Sequence, residues 1–286
     1  MPGSTVAILS IGNEILLGDI PNSNAQWLCR EFTKRGADVR HVAIVGDVDA
    51  EIAIELNHAL TYAPRLLVTT GGLGPTDDDR SVGAVAQALD LELAFDPVAG
   101  SMVESFYAKL GERGLVPMTG LTPPRRKMAL LPRGSRALTN RVGAAPGVFL
   151  SRGATQIVLL PGVPEEMQDI VQGALAPELD SLLGPGSYRE IERFAHISDE
   201  SVLAPLLRGI VERHPEVYVK SRAEVFGRSP SFRITLSCRT VNHEAVERLL
   251  LEAQGDLEQT LAAHKILLDD DGEAPDRVEH WAGNSS

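Results

Sequence analysis

Two cysteines, Cys29 and Cys238, are all that 286 residues contain. They lie far apart and neither belongs to a CxxC pair, which argues against a zinc-finger framework or a disulfide scaffold. Basic charge is also short: 27 lysines and arginines stand against 39 acidic residues, a formal net charge of −12. A protein that binds nucleic acid generally needs a basic face to neutralise phosphates, so no nucleic-acid partner is expected. A small phosphorylated ligand stays compatible, because a cation or backbone amides act locally and outweigh distant charge. No stretch approaches 18 uninterrupted apolar residues, so no membrane span is expected. The opening MPGSTVAILSIG has no basic region and no long apolar run, which argues against a signal peptide and for a cytoplasmic location. The GxSxG nucleophile elbow, the HExxH zinc helix and the EF-hand loop are missing as well. The seven histidines are scattered and read singly as structural or solvated residues.

Apolar residues make up 43% of the chain and charged residues 23%, an ordinary soluble composition that can bury a full core. VAILSIG at 6–12, DVRHVAIVGD at 38–47 and RLLVTT at 65–70 read as strands. Segments 22–36, 48–62 and 77–90 between and after them carry helical spacing, with Asn22 or Asn24 as a start cap and Gly36 as a stop. A helix over 97–114, an extended LTPPRRK connection, strands at GVFLS and TQIVLLPG and a helix over 164–179 follow. Strand and helix alternate, which predicts an α/β domain with a mostly parallel sheet over residues 1–183. From about 188 to 268 the order is β-α-β-β-α-β, suited to a small α+β domain of the split-βαβ type. Residues 269–286 are acidic and polar and read as a disordered tail.

The stretch TTGGLGPTDDD, residues 69–79, poses a chemical conflict. Gly71, Gly72 and Gly74 bare backbone N–H groups that attract anions, while Asp77, Asp78 and Asp79 repel them. One reading is a plain tight turn with Asp77 capping the next helix. The other is a phosphate held by amides together with a divalent cation, Mg2+ or similar, held by one or two of the carboxylates. The loop lies between a predicted strand and a predicted helix, where open α/β sheets bind ligands. It is neither the lysine-bearing phosphate loop nor the GxGxxG fingerprint. Three more glycine-bearing polar turns fall at predicted strand ends: SIGNEILLGDIPNSN with Gly12, Asn13, Glu14 and Asn24, LTNRVGAAPG with Asn140 and Gly147, and LPGVPEEM with Pro161, Gly162, Pro164 and Glu165.

These spaced motifs together resemble the competence/damage-inducible protein A family, in order from about Val6 to Met167. The resemblance implies a three-layer αβα domain of the molybdopterin-binding type, followed by the family's small domain. It also implies metal-dependent hydrolysis of a nucleotide diphosphate such as ADP-ribose. Relatives in molybdenum-cofactor biosynthesis instead bind or adenylylate molybdopterin; their loop reads GGTG, and Leu73 stands here in place of the threonine. Asp79 best matches the aspartate that follows their loop. Arg125 and Met128, beside Lys127, replace the bacterial family's usual Asn and Gln, which bears on substrate choice. The family's C-terminal amidase domain has no counterpart in this sequence.

Three functions follow as expectations. The first is a metal-dependent nucleotide pyrophosphatase in which Asp78 and Asp79 are catalytic, Asp77, Asp78 and Asp79 offer metal ligands, and Thr76 joins the glycine-turn residues in binding substrate. The second is a molybdopterin-binding or adenylylating protein, and the third a non-catalytic nucleotide sensor. The ligand expected in each case is a nucleotide or pterin phosphate. The second domain, which lacks any glycine–carboxylate cluster, is expected to support a homodimer.

Overall fold

The computed structural model describes residues 4–183, 187–197, 199–226, 229–240 and 242–270. The chain divides into two compact units, Met1–Gly186 and Ser187–Ser286. The first runs β1 (Thr5–Ile11), α1 (Asn13–Leu16), α2 (Ser23–Lys34), β2 (Asp38–Val45), α3 (Asp49–Thr61), β3 (Leu66–Thr70), α4 (Ser81–Ala88) and β4 (Leu93–Phe95). It continues through α5 (Pro97–Glu112), α6 (Pro123–Lys127), β5 (Leu130–Pro132), β6 (Arg136–Leu138), β7 (Gly147–Arg152), β8 (Thr155–Leu160), α7 (Pro164–Gln172) and α8 (Ala176–Leu183).

Six strands form the main sheet in the order β2-β1-β3-β8-β7-β6. The first four are mutually parallel, and β7 runs antiparallel to both neighbours. Helices cover both faces, which explains why the central strands read as unbroken apolar runs. Along β1, Ala7, Leu9 and Ile11 join a core with Ile52, Leu56 and Val85 of α3 and α4. Val6 and Ile8 join a second core with Leu28, Phe32 and Ile170 of α2 and α7. The result is the expected three-layer α/β architecture with a mostly parallel sheet.

Local chemistry sets several element ends. The Asn22 side chain accepts from the Ala25 N–H at 3.2 Å and caps α2, and Gly36, at φ 79°, follows its end. The helix expected over 77–90 starts only at Ser81, with Arg80 in the cap position and no side-chain cap bond. Asp77 is therefore not a helix cap. Thr76 and Asp79 instead close a turn: the Asp79 N–H donates to the Thr76 carbonyl at 3.2 Å, and the Thr76 N–H donates to Asp79 Oδ2 at 2.8 Å. Such local bonds compete with helix formation. LTPPRRK contains α6 where an extended segment is expected; its two prolines sit in the first turn, where no N–H is needed. The helix expected over 164–179 is broken at Gly173 into α7 and α8. The strands β4, β5 and β6 have three residues each, too few for periodicity to register.

The second unit comprises β9 (Ser187–His196), α9 (Glu200–Arg213), β10 (Val217–Phe226), β11 (Ser229–Thr240), α10 (His243–Ala263) and β12 (Leu267–Asp269). Its antiparallel sheet has the order β10-β11-β9-β12, so each βαβ crossover straddles a strand of the other. This is the expected split-βαβ arrangement. Ala195, Ile234 and Leu236 pack there against Leu203, Ile210, Val246 and Leu257. Asp269, read as the start of the tail, belongs to β12; residues 271–286 lie outside the described residues, as does Gly227, where the sequence KSRAEVFGRSP reads as a hairpin with a glycine turn.

Candidate functional site

The carboxyl ends of β1, β2, β3, β8 and β6 share one edge of the main sheet, because all five strands run the same way. The strand order reverses between β1 and β3, the place where open α/β sheets leave a crevice. A cleft of about 550 Å³ lies there, lined by residues from all four glycine-bearing turns. Gly12 and Glu14 follow β1, Gly71, Gly72, Gly74, Asp78 and Asp79 follow β3, Ala144 and Ala145 precede β7, and Pro161, Gly162, Pro164 and Glu166 follow β8. Asp47, after β2, lines it as well.

Two glycines carry the bend of the β3 loop. Gly71 has φ 102°, its N–H still bonds to the Leu160 carbonyl at 3.0 Å, and a Cβ there would collide with the Ile11 carbonyl oxygen. Gly72 has φ 67°, and a Cβ would collide with Ser81 Oγ. Ser81 is buried and ties the loop to α4, its hydroxyl donating to the Gly71 carbonyl at 2.6 Å and its N–H to the Gly72 carbonyl at 3.1 Å. The first amide of α4 is thus used by the loop itself. Among the described residues, the N–H groups of Gly72, Leu73 and Gly74 are paired with no protein acceptor, and all three residues line the cleft. The loop therefore presents free donors to an anion.

The aspartate run divides its work. Asp79 is half-buried and turns back on the loop, accepting from the Thr76 N–H and, at 2.6 Å, from the Thr76 hydroxyl. Asp78 is fully exposed and also accepts from that hydroxyl, which holds its carboxyl below the usual carboxylate range. Lys127 Nζ donates to the Thr76 carbonyl and so brings a cation to the same turn. Asp77 does not line the main cleft; it lines a neighbouring hollow of about 240 Å³ with Asp49, Arg80, Lys127 and Leu93. Asp49 there accepts two bonds of 2.6 Å from the Arg80 guanidinium. Gly72, Leu73, Gly74, Asp79 and Met128 form the wall common to both spaces.

Glu165, expected from the sequence to bind substrate, is exposed and does not line the cleft. Its neighbour Glu166 does. Asn140 Nδ2 donates to Glu166 Oε2 at 2.7 Å, and Asn140 Oδ1 accepts from the Val142 and Gly143 N–H groups at 3.0 and 2.8 Å. Burial pushes the Glu166 carboxyl up; the Asn140 bond opposes that shift and the Glu165 charge adds to it. Helical phase after Pro164 decides between the two glutamates, and the sequence alone carries no mark of it. Asn24 is buried in α2 and acts from behind, donating to the Gly162 carbonyl at 2.7 Å. Asn13 is likewise supportive: its N–H donates to Asp47 Oδ2 at 2.9 Å and its Oδ1 accepts from the Asp47 N–H at 3.3 Å. Gly147 is a packing position, where a Cβ would press on Leu138 and Ile170. Arg125 is directed elsewhere, bonding the Met118 and Gly120 carbonyls and lying 3.7 Å over the Tyr107 ring.

Five carboxylates therefore line the cleft, from Glu14, Asp47, Asp78, Asp79 and Glu166. Hard divalent cations take such oxygen ligands and share phosphate oxygens, so the donor set fits Mg2+ or a similar ion. No helix among the described residues is long and apolar enough to cross a membrane.

Comparison with known proteins bears on the same region. Residues 7–181 match the family described as a probable molybdopterin binding domain. A protein of Aeropyrum pernix is 43% identical over 217 residues, covering 76% of this chain and 78% of its own length. One from Thermococcus kodakarensis is 37% identical over 221 residues, 77% of this chain and 86% of its own. Among solved structures, the protein CinA of unknown function from Thermoplasma acidophilum aligns with a TM-score of 0.55 and 34% identity, over 61% of this chain and 98% of that one.

Proposed function

The chain belongs to the probable molybdopterin binding domain family, with a CinA-like first unit, and from that premise we propose that it is a metal-dependent pyrophosphatase acting on a nucleotide diphosphate such as ADP-ribose. One observation carries this reading: a single cleft joins three free loop amides to five carboxylates. Amides alone suit an anion and carboxylates alone suit a cation. A phosphoanhydride with its divalent ion is a ligand that needs both.

The residues take distinct roles. The N–H groups of Gly72, Leu73 and Gly74 hold a phosphoryl oxygen. Asp78 and Asp79 would hold the cation, with the Thr76 hydroxyl placed between them and the Thr76 N–H bonded to Asp79. When bound, such an ion withdraws charge from the phosphoryl oxygens as the bridging bond breaks. Glu166 orients the attacking water and takes its proton. Burial favours that role, because a carboxylate with a raised pKa is a better proton acceptor near neutrality. The water oxygen bonds to phosphorus, the bridging P–O bond breaks, and AMP and a sugar phosphate leave.

Purified protein incubated with ADP-ribose or FAD, with and without Mg2+, tests the reading. Metal-dependent AMP release is expected. Binding without turnover would identify a nucleotide sensor. The family match favours a second reading, a pterin ligand, and incubation with ATP and molybdopterin would then give an adenylylated pterin.

A further inference from the structure

Three side chains outside both spaces described above converge between an edge strand and a helix. His41 lies on β2, and Glu55 and His58 lie on α3. The pairing of β1 with β2 shows how His41 comes to face α3. Val6 pairs with Val39, but Ala7 pairs with His41, so Arg40 is an extra residue in the ladder. A bulge of this kind re-aims the side chains after it. Val6 belongs to the core under α2 and Ala7 to the core under α3, so the extra residue puts His41 on the α3 side. Glu55 and His58 are three apart on a helix and share one face.

His41 Nε2 lies 2.6 Å from Glu55 Oε1, and His58 Nδ1 lies 3.3 Å from the same oxygen. All three atoms fall within 4.8 Å of one another. Bonds of about 2.0–2.1 Å in a tetrahedral zinc site place neighbouring ligand atoms roughly 3.3 Å apart, so modest side-chain rotations suffice. Tyr62 braces the imidazoles: its ring stacks on His41 at 4.9 Å and lies 5.4 Å from His58. That support lowers the ordering needed on binding. His41 and Glu55 are half-buried while the His58 side chain is 52% exposed, so the cluster has a dry side and an open side.

We propose that His41 Nε2, Glu55 Oε1 and His58 Nδ1 bind a divalent transition metal of the zinc class, with the remaining position open to water. Two imidazoles and one carboxylate favour such borderline metals over Mg2+ and Ca2+, which prefer all-oxygen sets. The bound ion would tie α3 to the edge strand β2. The site is independent of the cleft, whose carboxylate set suits the harder ions.

The test uses the full chain without an affinity tag, stripped with a chelator and held in excess Mg2+ so that oxygen-only sites are filled. Titration with Co2+ should give about one equivalent with visible ligand-field absorption, displaced by Zn2+. His58→Gln changes an exposed side chain and should fold; it should weaken Zn2+ binding at least tenfold and abolish the rise in Tm that Zn2+ gives the parent. His41→Gln should act in the same direction. Asp78→Asn combined with Asp79→Asn should leave Zn2+ affinity unchanged. Unchanged Zn2+ affinity in folded His58→Gln, no visible Co2+ absorption in the parent, or loss of binding in the double aspartate variant overturns the proposal. The cluster would then be a hydrogen-bonded clamp only.

Discussion

Two carboxylates of the cleft sit in opposite electrostatic situations. The Thr76 hydroxyl favours ionised Asp78, whereas burial disfavours ionised Glu166. Titratable groups pushed apart in one site commonly divide binding from proton transfer. Asp78→Asn and Asp79→Asn should each lower metal-dependent turnover at least about tenfold, roughly 1.4 kcal/mol of barrier. Initial rates over a Mg2+ titration decide this, and unchanged rates in both variants would remove the aspartates from the reaction. Glu166→Gln should lower turnover similarly and yet raise Tm at neutral pH. The sign follows from linkage: a carboxyl whose folded pKa is raised stabilises the fold only while protonated, and that contribution is lost as pH rises through the folded value. The amide carries no such penalty, so its advantage should shrink as pH falls and Glu166 protonates. A Tm difference independent of pH would show that the charge is not the cause.

At the scale of the element, the β3 loop holds glycines for different reasons. In the sequence Gly72 and Gly74 read alike, as points where backbone N–H groups can approach a ligand. Only Gly74 remains a clean probe. A Cβ at Gly74 would meet Asp79 Oδ2 at 2.5 Å, the end of a movable side chain. At Gly71 it would meet the backbone of β1, with φ at 102°. Gly74→Ala should therefore fold with little change in Tm and lose turnover as Asp79 is displaced. Gly71→Ala should destabilise by about 1–3 kcal/mol through backbone strain and steric conflict. Paired thermal melts and nucleotide titrations test both; a Gly74→Ala protein with parental rates would return the loop to a plain turn.

At the scale of the whole molecule, every carboxylate of the cleft lies in the unit Met1–Gly186, and the unit Ser187–Ser286 has its own sheet and core. A chain ending at Leu183 is expected to keep metal-dependent hydrolysis. Light scattering is expected to show a smaller assembly than the full chain forms, if the second unit carries the self-association contact. A folded truncated protein with no activity at saturating substrate would mean that the second unit contributes to the site. An unchanged assembly would mean that the second unit carries no self-association contact.

The sequence by itself determined the alternation of strands and helices, because apolar runs and helical spacing are local signals that burial on both sheet faces enforces. It also marked the four glycine turns, since backbone bends without a Cβ leave a visible residue type. The β-α-β-β-α-β order and the conflict between TTGGLG and DDD were equally legible. What it did not carry was phase and distance. Glu166 faces the cleft and Glu165 does not because of where α7 begins on the edge of the sheet. Asp77 separates from Asp78 and Asp79 because the Thr76–Asp79 turn replaces the first helical turn. Gly147 and Asn24 are packing and bracing positions because neighbouring helices close over them. His41 and His58 look scattered along the chain, 17 positions apart by their numbers. One bulged residue and one helical turn bring them to the same carboxylate, and such meetings exist only once the strand, the helix and the register between β1 and β2 are in place.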